Sequence, residues 1–274
     1  MQIPETKQST PSNQLVAAAY EGEGIDLTIA EMKDTLGGIN GKYPFVSIIM
    51  PAFNEDKTIG KTIQEITSVM AFHHLPFEVI VVDDGSDDRT HVEALRWGAF
   101  VLSNEQNRGK GYCLRKGLSK ARGDLIVTID SDGEHRPTDI IKLLRYAFQG
   151  TDVVAGSRFL NGTNPTSKIH YLGNRLFNTV IMILTGRVVT DSQTGFRVMK
   201  RKVCESIYLQ SEGYEIETEI TMKSLRNGFT FKEVPIDIKR REYGRTRIRL
   251  LSDGRKILKT IFALGLSENF LSKG

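Results

Sequence analysis

From position 45 onward, short runs of β-branched and aliphatic residues alternate with stretches whose apolar positions recur every three or four residues. The first pattern predicts strands and the second amphipathic helices. On this reading strands cover 46–50, 78–82, 100–103, 125–129 and 152–156, and helices cover 56–70, 87–97, 110–121 and 137–148. Regular alternation of this kind predicts a doubly wound α/β layer, a Rossmann-like mixed sheet with helices on both faces. Ligands of such sheets bind beyond the carboxyl ends of the strands.

After residue 156 the alternation loosens. A helix is predicted at 171–185, a strand at 196–199, a helix at 216–226, a strand at 230–238 running into Lys239-Arg240-Arg241, and a last helix at 256–266. Residues 1–14 are polar with two prolines and read as a disordered tail, with too little apolar surface to offset the entropy of ordering. A short helix at 25–36 and a hinge at Gly37-Gly38 and Asn40-Gly41 precede the main body. The expected organisation is therefore an extension at 1–44, a domain at 45–250 and an amphipathic helical segment at 251–274.

Composition narrows the class. With 39% hydrophobic and 26% charged residues, the 274-residue chain is globular rather than disordered or membrane-embedded as a whole. A net charge of +4 is too small to imply nucleic acid. Cys113 and Cys204 stand far apart without metal-ligand spacing, which fits a reducing cytoplasm. No stretch approaches the roughly 20 apolar residues of a bilayer span, and the most apolar one, 176–184, contains Asn178 and Thr179. Contact with a membrane face remains open by another route. Leu172, Leu176, Phe177, Val180, Ile181 and Leu184 share much of one helix face near Arg175 and Arg187, and Ile257, Leu258, Ile261, Phe262 and Leu264 follow Arg249, Arg255 and Lys256. Such faces suit either a headgroup layer or ordinary packing.

Three predicted strand ends carry unusual polar clusters. Asp130-Ser131-Asp132 follows an apolar run, so its carboxylates project to one side where the strand runs out and can together hold Mg²⁺ or Mn²⁺, with Glu134 as a third oxygen ligand. Such an ion neutralises charge on a departing diphosphate. The plainer alternative is helix capping ahead of Pro137. Asp83-Asp84-Gly85-Ser86 offers Asp83 to a base N–H, or Asp84 and Ser86 as caps. Asn104 to Gly111 combines glycines with Arg108 and Lys110, suited to a nucleotide phosphate or base. A dinucleotide oxidoreductase is disfavoured, because the first strand ends in Pro51-Ala-Phe-Asn-Glu55 and not in Gly-x-Gly-x-x-Gly.

Taken together, Pro51-Ala-Phe-Asn-Glu55, Val82-Asp-Asp-Gly-Ser86, Asn107-Arg-Gly-Lys-Gly111, Gly123-Asp124 and Asp130-Ser-Asp132 resemble the family-2 glycosyltransferases of the GT-A fold. Gly156-Ser-Arg158, Asp191-Ser-Gln-Thr-Gly-Phe-Arg197 and Arg241-Glu-Tyr-Gly-Arg-Thr-Arg247 resemble more narrowly the dolichyl-phosphate mannose and polyprenyl-phosphate hexose synthases. The resemblance implies a nucleotide pocket lined by Pro51, Ala52, Asn54, Glu55, Asp83, Lys110, Asp130 and Ser131. It implies a metal at Asp130, Asp132 and Glu134, where the synthases commonly carry glutamine at the last position. Asp132 and the arginines Arg158, Arg175, Arg241 and Arg247 would serve the phosphates, with Thr246 and Arg247 standing where the synthases carry serine and lysine.

The implied activity is inverting transfer of a hexose, mannose favoured and GDP-mannose then the donor, from a nucleoside-diphosphate sugar to a polyprenyl phosphate. Transfer to a hydroxyl of a soluble or glycan acceptor is the alternative, with Asp191, Glu215, Glu217 or Glu219 as base, although surface charge is the expected role for most of these. A non-catalytic nucleotide-sugar-binding protein is a third reading. A cytoplasmic location is expected, with peripheral membrane contact an option.

Overall fold

The computed structural model describes residues 43–160, 168–243 and 250–266. The expected tail, helix and hinge at 1–41, together with Thr246 and Arg247, lie outside the described residues. Strands β1 (Val46–Ala52), β2 (Phe77–Asp83), β3 (Phe100–Ser103), β4 (Leu125–Thr128), β5 (Val153–Ser157), β6 (Arg197–Lys200) and β7 (Phe231–Pro235) form one sheet in the order β3-β2-β1-β4-β6-β5-β7. All neighbours run parallel except β6, which is antiparallel to both β4 and β5. The helices are α1 (Ile59–Phe72), α2 (Thr90–Arg96), α3 (Lys110–Leu118), α4 (Asp139–Phe148), α5 (Lys168–Thr185), α6 (Arg201–Ser206), α7 (Ile216–Arg226) and α8 (Leu250–Gly265). This is the α/β mixed sheet read from the sequence.

Central strands read as unbroken apolar runs because both faces are covered. In β1, Val46, Ile48 and Met50 point to a core completed by Ile59, Ile63 and Ile66 of α1 and Ile140, Leu143 and Leu144 of α4. Ile49 points the other way, into Cys113 and Leu114 of α3 and Ile216 and Ile220 of α7. Each such buried side chain contributes roughly 1.5–3 kcal/mol, so the sheet's centre is its most rigid part. Polar groups delivered at the ends of β1, β2 and β4 therefore sit on a firm base.

The structure divides the apolar residues of α5 between the two alternatives left open: Phe177, Val180, Ile181 and Leu184 pack with Met222 of α7 and Ile257, Leu258, Ile261 and Leu264 of α8, whereas Leu172 and Leu176 stay exposed with Ile169 and Ile183. Segment 251–266 is thus docked on the body through α8. The short helix α6 lies just after β6, where no helix was expected.

Candidate functional site: a cleft beyond strands β1, β2 and β4

The loop after β1 is held by the loop after β2. Asn54 takes a positive φ of 53°, which asparagine tolerates better than most residues. Its backbone N–H donates to Ser86 Oγ (2.9 Å), and its Oδ1 accepts from Asp87 N–H (3.0 Å). The Glu55 N–H donates to Thr90 Oγ1 at 2.7 Å, and Thr58 Oγ1 donates to Glu55 Oε2 at 3.1 Å. Ser131 Oγ donates to the Pro51 carbonyl at 2.8 Å, tying β4's end to β1's.

In the second cluster the two aspartates part company. Asp83 is buried and accepts the Ser86 N–H at 3.1 Å. Asp84 caps no helix. It accepts from Asn104 Nδ2 (2.7 Å) and from the Arg108 and Gly109 N–H groups (both 2.8 Å), and so shapes the glycine loop. Gly85 at φ 73° lies against the backbone of that loop, where a Cβ would come within 2.8 Å of Gln106 carbon.

The third cluster divides between two cations. Asp130 Oδ1 lies 2.5 Å from the Lys110 ammonium, which also meets Glu217 Oε1 at 2.9 Å. Burial alone would raise the Asp130 carboxyl; Lys110, and then His135 at 3.7 Å, reverse this and hold it far below the ordinary carboxylate value. Burial likewise opposes the Lys110 charge, but Asp130 and Glu217 together lift its pKa above the usual lysine value. Asp132 and Glu134 instead converge on Arg241, whose Nη2 reaches Asp132 and whose Nε donates to Glu134 Oε1 at 3.0 Å. Arg241 arrives there because its segment runs beside the third cluster: His135 bridges Ile238, and the Lys239 N–H donates to the Glu134 carbonyl at 2.7 Å. Burial and the charge of Asp132 keep the Glu134 carboxyl above its ordinary value despite Arg241. Neither aspartate caps α4, whose preceding Thr138 also makes no side-chain cap bond.

The expected metal trio is therefore split. Among the described residues, no three acidic, histidine or cysteine side chains converge as a ready-made metal site. Asp132 and Glu134 nonetheless fit a divalent ion: they are two oxygen donors whose mutual repulsion is relieved by a single cationic group, the role Arg241 fills.

Arg158 forms a two-pronged pair with the fully buried Asp191, Nε to Oδ2 and Nη2 to Oδ1, both at 2.7 Å. Asn174 Nδ2 adds a bond to Asp191 at 2.9 Å, and Glu233 accepts the N–H groups of Thr190 and Asp191 at 2.7 Å each. Burial would raise the Asp191 carboxyl, but Arg158 and Asn174 hold it low. Arg158 also lies close enough to Asp130 and Glu134 to feel their charges. Arg175 does not join it. Asn174 and Asn178 turn one face of α5 toward 190–192, and the adjacent position 175, about 100° round the helix, is exposed.

Residues passed over or misplaced by the sequence reading include His135, Glu217 and Glu219. The two glutamates are buried, 2% and 3% exposed, and not the surface charges expected. Glu219 is spent on the N–H groups of Gln210 and Ser211 and on Lys223. An acid on a helix announces no such burial; only the interleaved Ile216 and Ile220 hint at it.

A seven-stranded α/β sheet with one antiparallel strand, presenting acidic turns beyond β2 and β4, is the GT-A glycosyltransferase arrangement. It superposes on glucosyl-3-phosphoglycerate synthase from Mycobacterium tuberculosis with a TM-score of 0.72 at 24% identity, covering 87% of this chain and 84% of that one. The same enzyme bound to Mn²⁺, UDP-glucose and phosphoglyceric acid gives 0.70 at 22%, covering 88% and 84%. The sequence profile of glycosyl transferase family 2 matches residues 47–208, and the chain belongs to that family. Relatives include a dolichyl-phosphate hexose transferase of Haloferax volcanii, 29% identical over 83% of this chain and 97% of its own length. Another is a dolichol-phosphate mannosyltransferase of Pyrococcus furiosus, 28% identical over 74% of this chain and 59% of its own.

Proposed function

We propose that the chain transfers a hexose from a nucleoside-diphosphate sugar to a polyprenyl phosphate by direct displacement with inversion. The observation that carries this reading is the meeting, in one cleft, of an acidic pair (Asp132, Glu134) with two arginines (Arg241, Arg158) beside a loop suited to a nucleotide. The named polyprenyl-phosphate sugar transferases among its relatives support the acceptor class. Pro51, Ala52, Asn54, Glu55, Asp83, Lys110, Asp130 and Ser131 line the nucleotide side; for Asn54 the contribution is mainly to hold two loops in register.

Asp132 and Glu134 would hold Mg²⁺ or Mn²⁺, with Asp130 committed to Lys110. When bound, such an ion neutralises charge on the departing nucleoside diphosphate. Arg241 is anchored by the same two carboxylates and is placed to meet phosphate oxygens as negative charge moves onto the leaving group. Arg247, on the segment that follows, is proposed for the same task. Arg158, oriented by Asp191, presents a fixed guanidinium to the other reactant. Arg175 lies outside the cleft on α5 between exposed Leu172 and Leu176, where an acceptor phosphate held in a membrane surface would approach. No helix among the described residues is long and apolar enough to cross a membrane. In this reading the lipid acceptor is met at the cytoplasmic membrane face.

Proton bookkeeping supports the same acceptor class. A phosphate nucleophile is ionised near neutrality and needs no base, whereas a hydroxyl does. Of the four candidate bases, Asp191 is locked in a two-pronged pair, Glu219 caps a loop, Glu217 is buried behind Lys110, and Glu215 Oε1 accepts the Gly213 N–H at 3.1 Å. This argues against the hydroxyl acceptor.

The test is a donor panel of GDP-mannose, UDP-glucose and UDP-N-acetylglucosamine, each with a short polyprenyl phosphate and Mg²⁺ or Mn²⁺. One donor is expected to give a lipid-linked hexose, and Asp132→Asn is expected to lower kcat/KM by at least about 100-fold. Full activity of Asp132→Asn at saturating Mn²⁺ would overturn the reading.

A further inference from the structure

Behind the cleft the chain buries two charges, Glu217 and Arg197, that the scheme above leaves unused. Lys110, the first residue of α3, sends its ammonium between carboxylates on two different elements, Asp130 beyond β4 and Glu217 on α7, at 2.5 and 2.9 Å. Glu217 is faced from its far side by the fully buried Arg197, whose Nη2 lies 3.5 Å from Glu217 Oε2. Arg197 also donates to the Glu217 carbonyl at 2.8 Å and the Ser192 carbonyl at 3.0 Å. The four side chains thus alternate in sign. Asp130, 29% exposed, faces the cleft, and Glu217 and Arg197 lie in the interior.

Gly195 leaves the space that the pair occupies: a Cβ there would stand 2.5 Å from Lys110 Nζ and 2.6 Å from Asp130 Oδ2, so any side chain at this position would displace the ammonium or the carboxylate. A lysine on a flexible four-carbon stem with a single partner near solvent would sample many rotamers. A second carboxylate, itself fixed by a buried arginine, removes that freedom. Glu217 is sealed from the cleft, so its influence on a ligand passes through Lys110.

We propose that Glu217 is a positioning residue for donor binding, holding Lys110 beneath Asp130 so that the nucleotide side of the cleft presents an ammonium at a set place. The inference rests on Lys110 being a nucleotide contact. Lys110 stands on α3 and its two partners come from the turn beyond β4 and from α7, so donor affinity is coupled to how α7 packs under the sheet.

The experiment compares Glu217→Gln, Lys110→Met and the double variant by calorimetric titration with UDP and GDP at fixed Mn²⁺, without acceptor. Glu217→Gln is expected to weaken the preferred nucleotide about tenfold, Lys110→Met at least as much, and the double variant no more than Lys110→Met alone. In turnover, Glu217→Gln should raise donor KM by about the same factor, leaving acceptor KM unchanged and kcat within about threefold. Wild-type affinity in Glu217→Gln, or losses that multiply in the double variant, would overturn the proposal.

Because Glu217 also faces Arg197, Glu217→Asp is carried alongside. It keeps the charge and withdraws it by one methylene, so a loss of about threefold is expected on its own and none in the Lys110→Met background. An equal loss in both backgrounds counts against the proposal even if Glu217→Gln does not fold. A wild type that binds neither nucleotide removes the nucleotide reading of the site and this inference with it. Binding by the wild type that the variants match removes the inference alone.

Discussion

Asp84 shows how one side chain shapes the site without facing a ligand. It is 4% exposed and satisfies the Arg108 and Gly109 N–H groups and the Asn104 amide. Asp84→Asn would turn an amide donor toward groups that are themselves donors. The expected cost is about 1–3 kcal/mol in urea unfolding, with weaker nucleotide binding because Lys110 begins where this loop ends. Unchanged stability and unchanged UDP or GDP affinity would show that the loop holds its shape by other means. The aspartate pair at 83 and 84 was legible as a strand-end turn, and Asp130-Ser-Asp132 likewise. Their partners were not: Arg241 is 109 positions from Asp132, and nothing local distinguishes a carboxylate that meets Lys110 from one that meets Arg241. Burial of Glu217 was hidden for a related reason, since it depends on α7 packing against residues far away in the chain.

At the scale of elements, the alternating pattern located the strands to within a residue or two through β6, because apolar runs buried on both faces leave a strong signal. It failed where packing overrode local preference. Helix α8 begins at Leu250, ahead of the expected start at 256 and of Gly254, which costs roughly 1 kcal/mol within a helix; packing of Ile257 and Ile261 against α5 and α7 carries the helix through it. Helix α6 is too short to show a period. The junction of β5 and β7 is pinned by Asp152, which accepts from Thr230 N–H (3.1 Å) and Thr230 Oγ1 (2.9 Å) and pairs with Lys202 (2.7 Å) and Lys200 (3.5 Å). Burial would raise its carboxyl, but Lys202 and Thr230 outweigh it and bring it down to about 2. A depressed folded-state value stabilises the fold above the unfolded value of about 3.9 and is lost as pH falls through about 2. Asp152→Asn should therefore lower Tm at pH 7, and the gap from wild type should close between pH 4 and 2. A gap independent of pH would mean that the carboxylate's charge has no part in holding the junction.

For the whole molecule, the decisive arrangement is that α5 faces two ways. Asn174 and Asn178 bind the 190–192 turn that orients Arg158, while Ile169, Leu172, Leu176 and Ile183 are exposed together on the opposite side of the same helix. The sequence of α5 contains no acidic residue, and exposed Arg175 and Arg187 lie on and just beyond it. Arg255, Lys256 and Lys259 are exposed on α8, which packs against α5. An apolar surface bordered by cations is suited to an anionic bilayer, and its position would bring a membrane-held phosphate toward the same helix that braces the cleft. In flotation assays the protein should rise with vesicles containing anionic phospholipid at low salt and be released near 0.5 M salt, where the screening length shrinks to roughly 4 Å. The pair Leu172→Glu and Leu176→Glu should abolish flotation and cut kcat/KM for a vesicle-borne polyprenyl phosphate by about tenfold or more. With a short acceptor free in water the same variant should stay within about threefold of wild type, since neither leucine reaches the cleft. Equal losses on both acceptors would move these leucines from membrane contact to the support of α5, and a wild type that never floats would leave the lipid acceptor to be reached by some other surface.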